Sequence, residues 1–71
     1  MSKPTNSELG EAWRIANVAM QVHSAYEEKR DCPFSPHEMG YYLQTAHILD
    51  GMYPNEDWDL PWAIEVFEDC H

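Results

Sequence analysis

Ser35-Pro36-His37-Glu38, followed by the proline-free run Met39-Gly40-Tyr41-Tyr42-Leu43-Gln44-Thr45-Ala46-His47-Ile48-Leu49-Asp50-Gly51-Met52, is the stretch that decides the fold class. Ser35 stands where a helix N-cap is needed, with a hydroxyl that accepts from the backbone N–H three residues on. Pro36 occupies the first helical position, where its missing N–H costs nothing, and Glu38 closes the capping box from the other side. The spacing predicts a helix over 36–52. Met39, Tyr41, Tyr42, Leu43, Ala46, Ile48, Leu49 and Met52 form its broad apolar arc, and Gly40, Gln44, His47 and Gly51 its polar strip. Pro54 ends it.

Toward the N-terminus, Pro33 and Pro36 disfavour helical backbone in the residues before them, so Asp31-Cys32-Pro33-Phe34 reads as a break. Before the break, Thr5-Asn6-Ser7-Glu8 repeats the capping-box spacing, and a helix is expected over about 6–29. Leu9, Trp13, Ala16, Met20 and His23 make one apolar stripe along it. Ile15, Val18, Val22 and Tyr26 make a second, leaving Gly10, Arg14, Asn17, Gln21, Ser24 and Glu28 as the wet edge.

Toward the C-terminus, Asn55-Glu56-Asp57-Trp58-Asp59 is an acidic connection rich in turn formers. Asp57 or Asp59 can cap a third helix over 60–69, with Pro61 in its first turn. Leu60, Ala63, Val66, Phe67 and Cys70 face inward, and Glu65, Glu68 and Asp69 face water. No segment alternates as a strand would, and no repeat is visible. The chain reads as one all-α domain over 1–71, a bundle of a long helix, a second helix and a short third.

Its 71 residues, 44% hydrophobic and 24% charged, suit a small globular fold and exclude disordered or collagen-like classes. A domain of this size removes only about 60% of its unfolded surface from water, which leaves no room for a large substrate cleft. The first helix, about 35 Å long, outreaches a third helix of about 15 Å. Two outcomes follow: the surplus apolar surface, including Trp13, Ile15, Met20 and Val22, forms a homo-oligomer interface or docks a partner, or Phe34 and Trp58 fold back to cover it. The start, Met-Ser-Lys-Pro-Thr-Asn, lacks an apolar signal core, and no stretch approaches the roughly 20 apolar residues of a membrane span. A cytoplasmic protein without membrane contact is expected, in the host cell's cytoplasm if the chain is phage-encoded.

Charge separates the two halves. Thirteen Asp and Glu oppose four Lys and Arg, a formal charge of −9. Residues 1–30 are balanced, with Glu8, Glu11, Glu27 and Glu28 against Lys3, Arg14, Lys29 and Arg30. The remaining 41 residues hold nine acids and no base. Such a field repels nucleic acid and anionic lipid and attracts basic protein surfaces, although acidity also serves solubility.

Several chemical readings fail on spacing. Ser35, His37 and Glu38 resemble pieces of a hydrolytic triad, but residues this close at a helix start are accounted for by capping. Asn55, Asp57 and Asp59 mimic the first positions of a calcium loop. Leu60 then stands where glycine is needed, and Val66 where the bidentate glutamate belongs. Cys32, His37, Cys70 and His71 meet at one end of an up-down-up bundle and suit a zinc ion by type, but without a CxxC or HxxxH half-site. Reduced thiols are the first expectation there, a disulfide the second and a metal the third. No cofactor and no enzymatic role are expected.

The mixture of aromatic and acidic residues points to a partner. Trp58 and Trp62 flank Asp59, with Glu65, Glu68 and Asp69 beyond. Tryptophan anchors ringed by carboxylates suit a partner rich in Arg and Lys. The leading expectation is a small acidic interaction protein that binds a basic surface, such as a DNA-mimic inhibitor of phage or mobile-element type acting on a host nucleic-acid-binding protein. The alternatives are a helical homo-oligomer assembled through the first helix and a Cys/His metal-stabilised module.

Overall fold

The structure is a computed structural model that describes residues 3–69. Three helices, α1 (Asn6–Glu27), α2 (Pro36–Met52) and α3 (Leu60–Asp69), form an all-α bundle, and no strand occurs among the described residues. The bundle measures 42 × 20 × 18 Å. α1 sets the long dimension, because its 22 residues extend about 33 Å at 1.5 Å each.

Both expected capping boxes form. Thr5 accepts from the Glu8 N–H at 3.2 Å, and the Glu8 carboxylate accepts from the Thr5 N–H at 2.8 Å. Ser35 and Glu38 repeat the exchange at 3.2 and 3.0 Å. Four orphan donors are thereby satisfied without tertiary help, which is why these helix starts are legible locally. At the start of α3, Asp59 contributes its backbone carbonyl to the Ala63 N–H at 3.0 Å.

α1 ends two residues earlier than the expected 29, for a backbone reason. Lys29 adopts a left-handed conformation, φ 56°. That turn lets the Lys29 N–H reach the Tyr26 carbonyl at 3.1 Å and the Arg30 N–H reach the Ala25 carbonyl at 2.8 Å. This is a Schellman closure with lysine where glycine is usual, so no glycine marks it in the sequence.

α3 is the wedge of the bundle. It packs against both α1 and α2 more extensively than those helices pack against each other. Five of its ten residues are buried: Leu60, Ala63, Ile64, Val66 and Phe67. Phe67 lies at the centre, with Tyr42 stacked on it at 6.4 Å and Phe34 edge-on to Tyr42 at 6.1 Å. The loop residues Phe34 and Trp58 do fold back against the core.

α1 requires a correction. Its buried face is Ala12, Ile15, Val18, Ala19, Val22 and Ala25. Ile15 and Val22, expected at an oligomer interface, are inside the monomer core, at 0% and 1% exposure. Trp13 and Met20 stay outside with Leu9, Trp13 being 73% exposed. The two apolar stripes therefore have different fates. Alanines at 12, 19 and 25 let the neighbouring helices approach α1 closely on that side, and a tryptophan or methionine there would hold them apart.

At the opposite end from the α1–α2 turn, Tyr53 donates its hydroxyl proton to Glu8 at 2.7 Å, tying the end of α2 to the first turn of α1. The Thr5 backbone N–H and the Tyr53 hydroxyl together hold the Glu8 carboxyl below the usual carboxylate range. The same bond raises the Tyr53 hydroxyl above its ordinary value. Nearby on α1, one oxygen of Glu11 is buried without a hydrogen-bond partner among the described residues.

Candidate functional site

α3 is amphipathic, so burying Leu60, Ala63, Ile64, Val66 and Phe67 turns Trp62, Glu65 and Asp69 toward the C-terminal half of α1. There His23, Tyr26 and Glu27 meet them. These residues, with Val66 in the floor, line a groove of about 350 Å³. Trp62, 39% exposed, stacks on His23 with ring centroids 5.9 Å apart and planes at 27°. His23 Nε2 lies 3.4 Å from the Glu27 carboxylate one helical turn on. Tyr26, 67% exposed, offers a second ring. Glu27, Glu65 and Asp69 supply three carboxylates, and no Lys or Arg lines the groove among the described residues.

The expected partner-binding set is divided by the fold. Trp62, Glu65 and Asp69 share the α1–α3 groove. Trp58 and Asp59 lie in a separate groove of about 330 Å³ with Asp57, Leu9, Ala12, Trp13 and Ala16. Glu68 is exposed and lines neither. The two tryptophans also differ in role. Trp58 is half-buried, edge-on to Tyr53 at 5.9 Å, with its indole N–H directed at Asp50 at 3.5 Å. It closes one end of the bundle, whereas Trp62 covers α1 and keeps an open face.

Tyr26, His23 and Glu27 are the site residues that sequence reasoning missed as a group. In the sequence His23 and Tyr26 belong to the two apolar stripes of α1. Their spacing with Glu27 at one helix end is a local signal, but its meaning depends on α3 lying alongside.

The other chemical candidates take structural positions. Ser35 and Glu38 are engaged in the α2 cap, and His37 is exposed. Cys32 is an exposed free thiol, 3.8 Å from the Met39 sulfur. Cys70 and His71 lie outside the described residues. Among the described residues no three His, Cys, Asp or Glu side chains gather as a metal-binding group. No described helix is long and apolar enough to cross a membrane. In comparisons with known proteins, no protein family, no curated protein and no solved structure matches this chain.

Proposed function

We propose that this chain is a small non-catalytic binding protein that engages a basic surface on a protein partner through the α1–α3 groove. The observation that carries the reading is the meeting of Trp62 and Tyr26 with Glu27, Glu65 and Asp69 in one recess that has no Lys or Arg among its described lining residues. An exposed indole can anchor an apolar stem or a guanidinium face, and carboxylates at the rim pair with Arg or Lys. The net charge of −9 steers such a partner in and keeps nucleic acid away. A nucleic-acid-binding protein of the host cell's cytoplasm, occupied by carboxylates where phosphates would lie, fits this chemistry. On this reading the protein is an inhibitor or modulator of phage or mobile-element type.

An arginine-rich peptide serves as the probe, titrated while the amide signals of the protein are followed by NMR. The expected result is movement centred on His23, Tyr26, Trp62 and Glu65, with affinity that falls as salt rises. Glu65→Lys should weaken binding at least tenfold more than Glu68→Lys, although the two change net charge equally. Equal losses would mean that only net charge matters and that the groove is not the site.

A further inference from the structure

α2 carries a broad apolar arc beside the polar strip of Gly40, Gln44, His47 and Gly51, and the fold covers only one side of that arc. Met39, Ala46 and Leu49 are buried and Tyr42 and Leu43 half-buried, whereas Tyr41, Ile48 and Met52 are 58%, 53% and 56% exposed. At 100° per residue these three fall within about 40° of one another on the outer face. Residues 39–49 contain no Asp, Glu, Lys or Arg, in a chain whose net charge is −9. The exposed stripe on α1 differs, because Trp13 shares its groove with Asp57 and Asp59.

From this we infer that the outer face of α2 is a self-association surface, whose occupant is α2 of a second copy. A basic partner gains little from a face whose one flanking carboxylate, Glu38, is engaged in the α2 cap, and an ordinary charged protein surface would lose hydration along 39–49 with no ion to pair. A second copy offers the same uncharged face. The face is also self-complementary, as a two-fold interface requires. Antiparallel packing about an axis between Gln44 and Thr45 sets Tyr41 opposite Ile48, and His37 opposite Met52. The strip is about 26 Å long and one helix wide, so the pair buries on the order of 1,000 Å², at the lower edge of specific interfaces. The dimer is therefore weak and concentration-dependent. Because the two copies repel through their remaining surfaces, it tightens with salt, opposite to the binding of a basic partner.

Sedimentation of the untagged protein at about 0.01 M and about 1 M salt, where the Debye length falls from ~30 to ~3 Å, tests this. The mass should rise from 8.3 kDa toward twice that value with concentration, and more readily at high salt. Ile48→Glu, at a solvent-exposed position with folding checked by circular dichroism, should weaken association at least tenfold. Tyr41→Ser should weaken it as well, and Met20→Glu on α1 should leave it unchanged. A monomer at every concentration and salt level overturns the inference, as does a dimer that survives Ile48→Glu and Tyr41→Ser or one lost through Met20→Glu. None of these outcomes bears on the arginine-rich peptide titration, which reads α1 and α3.

Discussion

Ile15 and Trp13 are two residues apart on α1, and truncating each to alanine separates the core face from the outer face more sharply than any other pair in the chain. Ile15 has no exposed surface. Ile15→Ala deletes three carbons, about 2.4 kcal/mol at ~0.8 kcal/mol each, and the cavity left among rigid neighbours brings the loss to roughly 3 kcal/mol. Trp13 is 73% exposed, so about a quarter of its surface is covered. A quarter of the 150–250 Å² of a buried aromatic is about 40–60 Å², or ~1–1.5 kcal/mol. Alanine recovers about 0.5 kcal/mol of helix propensity, leaving a net cost of ~1 kcal/mol or less. A domain of this length has only about 4–11 kcal/mol of total stability, so the first change is severe and the second slight. Urea unfolding read by helical circular dichroism, with m held constant, gives both values. By melting, Ile15→Ala should lower Tm by about 12–24 °C and Trp13→Ala by less than about 8 °C. Equal losses at the two positions would refute the burial assignment of α1, and a Trp13→Ala loss that grows with protein concentration would place Trp13 at an interface.

Lys29→Gly should raise stability by about 0.5–1 kcal/mol, since glycine adopts the left-handed turn without strain, and thermal unfolding reads it directly. Gly10→Ala should do the same from the opposite cause: the added methyl meets open space at an α-helical position, and the gain of ~0.5–1 kcal/mol is absent if that stretch of α1 is frayed. Glu11→Met should stabilise the fold by about 1 kcal/mol, because an apolar side chain of similar length removes an oxygen buried without a partner; a loss in denaturant midpoint would mean that a water or ion satisfies it. The Glu8–Tyr53 bond predicts two limbs in a profile of Tm against pH. Glu8 is held low, so its stabilisation is present above the ordinary carboxylate pKa and is lost as pH falls through the depressed value. Tyr53 is raised, so its stabilisation is present below the ordinary phenol value and is lost as pH rises through the elevated one. Tyr53→Phe should abolish the alkaline limb attributable to Tyr53 and shrink the acid one, with the Thr5 backbone bond to Glu8 retained.

The two capping boxes, the helix count and the order of the helices were legible because each capping box is an exchange among four neighbouring residues. α1 ends two residues before the expected position because lysine can occupy a left-handed turn and nothing in its identity announces that it does. The candidate site was legible in part. The short α3 helix has one buried face, which already sets Trp62, Glu65 and Asp69 apart from it. Their companions His23, Tyr26 and Glu27 lie more than thirty positions away, and no local rule links them.

By itself the sequence determined that the chain is helical, where two of its helices begin, that it carries nine net negative charges, and that α2 contains a long uncharged run. These follow from side chains acting on their own backbone or from arithmetic over the chain. Only the tertiary structure decided which α1 stripe is core, which tryptophan closes the bundle end, which acids share a groove, and which side of α2 remains bare. Those outcomes depend on how closely helices can approach, and close approach is set by pairs of surfaces. A face of α1 lined with alanines admits α3 and a face carrying Trp13 does not, but that choice exists only once α3 is there to make it.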